Sequence, residues 1–199
     1  MMTDATDLHA RRNRMRLLAI FALFLGTMLV AGALRFSGWR PAGMKNHGEL
    51  LQPPVDLRAR VPVLADGSGY RWNPAARTWR IVLAPPAACD EACTTLARDI
   101  DVVWKLMGRN ADKVDVLWLC AEPGCSPPPP LRDDPALRLL QPDPALRAVL
   151  PRVDATSADG ARGVPVYVVD PNGFLILRYP PGADPAGLRA DLAKLLKLI

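Results

Sequence analysis

Short apolar runs and one long helical repeat alternate through the middle of the chain. Residues 79–84 and 114–119 are apolar runs of strand length, and each predicts a buried β-strand. Between them, apolar side chains recur at helical spacing from residue 89 to residue 108, where Gly108 can end the helix. This strand–helix–strand pattern predicts two parallel strands joined by a right-handed crossover.

The last third of the chain predicts a hairpin and a closing helix. Residues 164–169 and 174–179 are strand-like, and the Asn-Gly step between them favours a tight hairpin turn. Residues 184–198 have the apolar spacing of an amphipathic helix, with Asp184 as its N-cap and Pro185 in its first turn.

Proline shapes the remaining segments. The chain has 21 prolines in 199 residues, above the average of about 5%. Residues 134–150 therefore predict one or two short helices broken at Pro142 and Pro144, and residues 35–78 predict a juxtamembrane linker with lead-in strands. The element order is β-α-β-α-β-β-α. It resembles the thioredoxin order and predicts an α/β fold, thioredoxin-like, with a central mixed sheet flanked by helices, over residues 79–199.

An uncharged apolar stretch occupies residues 17–34. A helix of this length spans about 27 Å, close to the thickness of a hydrocarbon core. Several arginines precede it, so the positive-inside rule predicts a cytoplasmic tail at 1–16 and an exported C-terminal domain. Phe36 and Trp39 would lie at the outer interface. The alternative is a cleaved signal peptide, since Ala31-Gly32-Ala33 resembles a cleavage site.

Charge separates this chain from nucleic-acid-binding proteins. The formal net charge is +5, and most of the surplus lies in residues 1–35. The sequence has no basic cluster interleaved with aromatic residues, so nucleic acid is not an expected partner.

The four cysteines form two local pairs, Cys89/Cys93 and Cys120/Cys125. In an exported domain an even number of cysteines often forms disulfides. A purely structural disulfide more often links remote segments, because closing a longer loop stabilises more. Local pairs therefore favour redox or metal chemistry.

Cys89 and Cys93 lie one helical turn apart at the start of the predicted helix. Thiols at a helix N-terminus ionise more readily, which makes them better nucleophiles and metal ligands. Two thiolates suit Cu(I), whereas a disulfide at this spacing would distort the first turn. Asp90 and Glu91 between them indicate an exposed position and are interpreted as helix-start charges.

Residues 89–96, CDEACTTL, resemble the CPxxCPxxL segment of the Sco/SenC family of membrane-tethered, thioredoxin-like proteins. Residues 46–57, 169–179 and 191–199 resemble a proteobacterial branch of oxidase-assembly proteins. The resemblance covers roughly residues 46–199. It implies that Cys89 and Cys93 carry copper delivery to, or thiol maintenance of, the CuA site of cytochrome c oxidase.

The chain departs from that family at the third copper ligand. The resemblance implies a histidine shortly before the third core strand, but residues 159–166 read DGARGVPV. The two histidines are His9, in the N-terminal tail, and His47, in the lead-in. His47 is one candidate substitute. Cys120 is another, either as a ligand or as a resolving thiol, with a local Cys120–Cys125 disulfide as the alternative.

Pro165 carries a second resemblance. Thioredoxins and their membrane-tethered relatives have an x-Pro bond in the cis form before this strand, facing the cysteines. Pro165 fits that position, and a cis Val164–Pro165 bond would present backbone groups to a partner chain. The alternative is a proline that simply opens a strand.

These observations predict a single-pass protein of the bacterial inner membrane with a periplasmic thioredoxin-like domain. The expected catalytic residues are Cys89, Cys93 and Pro165, and Cys89 and Cys93 are also the expected Cu(I) ligands. The expected partner is a cytochrome c oxidase subunit or another periplasmic thiol protein. A thiol–disulfide oxidoreductase with other substrates and a non-catalytic assembly scaffold are the alternatives.

Overall fold

The N-terminal unit of the chain contains the helix α1 (Thr3–Phe36). The computed structural model describes residues 3–37, 46–154 and 163–198. The stretch Arg11–Phe36 is long and apolar enough to cross a membrane, which fits the predicted transmembrane helix at 17–34. Phe36 is exposed at its end, and Trp39 lies outside the described residues.

The second unit, which begins at Asn46, is built on one six-stranded mixed sheet. The strands are β1 (Glu49–Asp56), β2 (Trp79–Leu83), β3 (Val114–Leu119), β4 (Leu137–Leu140), β5 (Val166–Val169) and β6 (Phe174–Tyr179). Their order across the sheet is β1-β6-β5-β2-β3-β4. β2, β3 and β4 are parallel, while β5 and β6 form the antiparallel hairpin beside β2.

Helices cover both faces of this sheet. They are α2 (Glu91–Lys105), α3 (Pro129–Arg132), α4 (Pro144–Val149) and α5 (Pro185–Leu195). Side chains of α2, α3 and α5 share one apolar cluster with alternate residues of the sheet, and α4 joins a second cluster on the opposite face. The predicted thioredoxin-like fold, with a mixed sheet flanked by helices, is confirmed.

Two proline-rich segments each contribute an edge strand, and only the strand in the lead-in is predicted from the sequence. Residues 137–140, expected within short helices, form the parallel strand β4 beside β3. Only α4 is helical in the predicted range 134–150. The lead-in supplies β1, which pairs with β6 at the sheet edge and is interrupted between Leu50 and Val55. Such interruptions are tolerated because an edge strand needs only one ladder.

Of the two long helices of the sheet unit, α5 has the predicted N-cap, whereas α2 is shorter than predicted and ends at Lys105 with Leu106 as its C-cap. Helix α2 begins at Glu91 rather than at residue 89, because the Asp90 carboxylate accepts the Cys93 backbone N–H at 2.9 Å. Gly108, three residues beyond its end, has φ +57°, a conformation that favours glycine. In α5, Asp184 is the N-cap and accepts the Ala186 N–H at 2.8 Å, as predicted.

A buried carboxylate, Asp191 of α5, holds three segments together. It accepts hydrogen bonds from the backbone N–H groups of His47 (2.6 Å) and Gly48 (3.0 Å) and from the Tyr179 hydroxyl (2.9 Å). Burial alone would raise the pKa of Asp191, but these bonds and one from Lys194 hold it below its usual value. Asp191 therefore fixes the lead-in and the end of β6 against α5.

Two other buried carboxylates, those of Asp101 and Asp134, lack some of their hydrogen bonds within the described part of the chain. Asp101 of α2 and Asp134, between α3 and β4, each have one buried carboxylate oxygen without a hydrogen-bond partner among the described residues. Burial raises the pKa of Asp134, and the nearby Asp101 charge adds to this effect. A carboxyl group whose pKa is raised on folding costs stability as the pH rises from its unfolded value towards its folded value.

We expect Asp134→Asn to stabilise the protein by about 1 kcal/mol at pH 7, because it removes the buried charge. The Asn side-chain oxygen can still accept the Ala136 N–H, as Asp134 does at 2.8 Å. The gain should shrink as the pH falls to 4. Chemical unfolding of the full chain in detergent micelles, followed by tryptophan fluorescence, measures both values. Asp133→Asn, an exposed neighbour, is the matched control, and an equal effect there would contradict the assignment.

Candidate active site: the Cys89–Cys93 pair

The site lies where the central strand leaves the sheet. Strand β2 is followed by buried Ala84 and Pro85, then by three exposed residues before Cys89. Arg147 of α4 donates to the carbonyl oxygens of Ala84 (2.8 Å) and Pro85 (3.3 Å) and so fixes this exit from the far face of the sheet. Arg147 carries no motif that sequence analysis would single out.

Cys89 and Cys93 are joined by a disulfide, with their Cα atoms 5.3 Å apart. The expectation that this bond would distort the first helical turn is wrong, because Asp90 is the N-cap and Cys89 lies outside the helix. Only Cys93 is held by helical geometry. Cys93 is 2% exposed, whereas Cys89 is half-buried. Attack on or by the pair is therefore easier at the Cys89 sulfur.

The electrostatics at the pair are mixed. The N-terminus of α2 favours a thiolate at Cys93. The Asp90 carboxylate already accepts the Cys93 N–H, however, and adds a full negative charge between the cysteines. Glu91, also exposed, adds another. The interpretation of both residues as helix-start charges holds, and these charges oppose ionisation of the neighbouring thiols.

The second pair also forms a disulfide, Cys120–Cys125, with Cα atoms 5.7 Å apart. This is the alternative that the sequence left open for Cys120. Cys120 follows β3, the strand beside β2, and its N–H donates to the Leu140 carbonyl at 3.1 Å. Both disulfides thus lie at the same edge of the sheet and contact the same apolar cluster. In this state Cys120 has no thiol to offer as a ligand.

The prediction of a cis Val164–Pro165 bond is wrong. Among the described residues, the cis peptide bond is Gln52–Pro53, and Pro165 is joined in trans. Trans is the form that X-Pro bonds prefer by about 0.5–1 kcal/mol, and Pro165 directly precedes β5 in an extended entry that trans accommodates. Pro165 is buried, and its neighbour Val164 lines the space beside the cysteines.

The candidate third ligands are not assembled around the pair. His47 is exposed and packs against Gly187 of α5, where an added Cβ would come 2.8 Å from the His47 Cβ. Most of the histidine-free segment 159–163 lies outside the described residues. Within the described ranges, no group of three or more His, Cys, Asp or Glu side chains is placed to hold a metal.

A groove of about 690 Å³ borders the pair and was not predicted from the sequence. It runs between α2 and the start of α5, over the entry to β5 and the end of β6. Asp90, Glu91 and Ala92, the three residues between the cysteines, line one end of it. The opposite wall includes residues 180–185, whose sequence PPGADP shows only turn and capping signals.

The fold and the paired cysteines define a thioredoxin-like domain that follows an apolar N-terminal helix. Residues 79–199 match the family described as "Transmembrane-like, thioredoxin-like, C-terminal domain". The chain belongs to this family. A search of curated proteins finds no match.

Solved structures of Sco proteins share the fold. Arabidopsis thaliana ScoI with copper bound is 14% identical, with a TM-score of 0.50, over 76% of this chain and 99% of that one. Apo Sco1 from Thermus thermophilus is 19% identical, with a TM-score of 0.50, over 80% and 100%. A SCO1/SenC family lipoprotein from Bacillus anthracis is 16% identical, with a TM-score of 0.50, over 73% and 98%. The Sco/SenC resemblance therefore extends to the fold.

We expect Asp90→Asn to make the thiols of the reduced pair ionise at lower pH, because a negative charge next to them is removed. Asn is as good an N-cap as Asp, so the helix start is kept while its charge is removed. Thiolate absorbance at 240 nm of the reduced full chain, followed against pH, measures the change. Asp112→Asn, an exposed charge beyond the other end of α2, is the control. An equal shift in both variants would show that Asp90 has no local effect.

Proposed function

We propose that this chain is a membrane-anchored thiol–disulfide factor for the assembly of cytochrome c oxidase, with its domain in the periplasm. The observation that carries the proposal is the Cys89–Cys93 disulfide just beyond the end of β2, in which Cys93 is buried and Cys89 is only half-buried. The predicted anchor at 17–34, with its arginine-rich tail in the cytoplasm, would keep the domain at the inner-membrane surface.

The unequal exposure of the two cysteines assigns their roles. In the reduced state the accessible Cys89 thiolate attacks a sulfur of the partner's disulfide, which forms a mixed disulfide and releases one partner thiolate. Cys93 then attacks the Cys89 sulfur, releases the second partner thiolate and restores the Cys89–Cys93 disulfide. Two electrons and two protons pass to the partner. Pro165 is buried at the entry to β5, between Val164 and Val166, which both line the groove. Its proposed role is to hold this wall of the groove in place.

The target follows from the resemblance to the Sco/SenC family, which implies the CuA site. The cysteines of such a site must be reduced before they can bind copper. A subunit of cytochrome c oxidase with an oxidised cysteine pair is therefore the proposed substrate. Other periplasmic proteins with an oxidised cysteine pair could be reduced by the same reaction.

Copper handling by the same residues is the second candidate. Two thiolates suit Cu(I) as cargo, and the Arabidopsis ScoI structure has copper bound. The donor set here is narrower than the resemblance implies, because the sequence has no histidine before β5 and Cys120 is joined to Cys125. Reduced Cys89 and Cys93 would hold the ion as a two-thiolate pair, ready to pass it to a partner.

We expect Cys93→Ser to leave a reactive Cys89 thiol and Cys89→Ser to leave a poorly reactive Cys93 thiol. The reduced full chain in detergent micelles is mixed with glutathione disulfide. One glutathione should be added to Cys89 in the first variant, about tenfold faster than to Cys93 in the second. Intact mass gives the rate, and peptide mass locates the adduct. Equal rates would contradict the assigned roles, and no adduct in either variant would overturn the thiol–disulfide proposal.

The copper candidate predicts that one Cu(I) binds per reduced chain. Titration against bicinchoninate measures this binding, which should be lost in Cys89→Ser/Cys93→Ser. The matched control is Cys120→Ser/Cys125→Ser, which removes the same number of sulfurs at the same edge and should keep the site. Binding that survives the first double variant, or that disappears in the control alone, would contradict this assignment.

A further inference from the structure

The groove beside Cys89–Cys93 has an apolar floor. Leu96 and Ile100 of α2, Val166 of β5 and Leu188 of α5 all line it. Cys89 is half-buried, and the three residues that follow it line the groove, which places the pair next to the groove although neither cysteine belongs to its lining. A chain that presents its disulfide to Cys89 can thus lay its neighbouring apolar side chains along this floor.

The charged residues that line the groove all have the same sign. Asp90, Glu91, Asp99 and Asp184 belong to its lining, and none of the described lining residues is Lys, Arg or His. Asp90 and Asp184 are N-caps, so part of their charge is offset by their helices. Glu91 and Asp99 form no ion pair within the described ranges. The rim thus has carboxylates without a cationic partner in the described part of the fold.

We propose that this groove binds a polypeptide segment in which Lys or Arg and apolar residues flank the reactive cysteines. The inference rests on the proposed function and adds the chemistry of the partner to it. The apolar residues replace water on the floor, and the cations meet Glu91 and Asp99 at the rim. Opposite charges across an interface mainly raise the association rate and reject like-charged partners.

The exchange at the groove is the reaction already described for the pair. The Cys89 thiolate opens the segment's disulfide, and Cys93 releases the segment as a dithiol. The protons of the two protein thiols end on the two segment thiols, and the protein ends as its Cys89–Cys93 disulfide. Charge at the rim acts on capture of the segment and, through Glu91, on how readily the Cys89 thiolate forms. The bonds that are broken and made stay the same.

The test uses the reduced full chain in detergent micelles and two cyclic peptides with one internal disulfide. Both peptides carry leucines beside the cysteines, and they differ only in having lysines or glutamates further out. At low salt the lysine peptide should be reduced about tenfold faster, and the difference should largely vanish in 0.5 M NaCl. Appearance of the peptide dithiol, separated by chromatography, gives each rate.

The groove variant is Glu91→Gln/Asp99→Asn, which leaves both cysteines and both N-caps in place. It should slow the lysine peptide about three- to tenfold and leave the glutamate peptide unchanged or faster. The matched control, Asp112→Asn/Asp133→Asn, removes two exposed carboxylates outside the groove and should leave both rates unchanged. The low-salt preference should thus depend on the two rim charges.

Each outcome separates the two proposals. If neither peptide is reduced while the chain is folded, the thiol–disulfide function fails. If both peptides are reduced at equal rates, or if the two double variants behave alike, the function stands and the groove assignment is overturned. A concentration-dependent dimer that is lost only in Glu91→Gln/Asp99→Asn would assign the groove to a second copy of this chain and overturn the partner proposed here.

Discussion

The burial of β2 on both faces is the constraint on which the rest of the structure depends. Trp79, Ile81 and Leu83 point into the cluster under α2 and α5, and Val82 and Ala84 point into the opposite one. Each large apolar side chain contributes about 1.5–3 kcal/mol by this burial. Because β2 is paired with β3 on one side and β5 on the other, its direction decides where the chain leaves the sheet and where the cysteines lie.

The exception within β2 shows how strict this constraint is. Arg80 is 2% exposed, and its guanidinium donates to the Tyr70 hydroxyl and to the carbonyl oxygens of Asp170 and Pro171. Tyr70 in turn donates to Asp115, so the buried cation is linked to a carboxylate through a hydroxyl. Burial raises the pKa of Tyr70, which keeps that hydroxyl protonated. A charge is accepted in the central strand only with such partners. They also bind the β5–β6 turn to β2.

The sequence is most informative where side-chain periodicity and capping agree. The strand at 114–119 and the one at 174–179 have the predicted bounds, and the cap at Asp184 follows from the same rules. The strand at 137–140 is too short for a periodic signal and lies between prolines, so its pairing with β3 comes from tertiary context.

The start of α2 is also not decided by the sequence alone. The Cys-Asp-Glu run fits a helix that begins at Cys89 or at Glu91, and only the hydrogen bond from the Cys93 N–H to Asp90 shows that it begins at Glu91. Groove walls at 163–166 and 180–185 come from separate segments that only the folded sheet brings together.

The negative charge at the site affects both candidate activities, thiol–disulfide exchange and Cu(I) binding, in the same way. Carboxylates at Asp90 and Glu91 oppose formation of the thiolates that both nucleophilic attack and Cu(I) binding require. The same carboxylates attract the positively charged species that the proposals bring to the thiolates, either a metal cation or a basic segment of a partner. In a partner complex the incoming cations would neutralise these charges and ease ionisation of Cys89 at the moment of contact. In the proposed function, such a pair would still react with glutathione disulfide, but more slowly than with the disulfide of a docked basic chain. Selectivity for the partner can therefore arise from charge alone, on a fold that many proteins share.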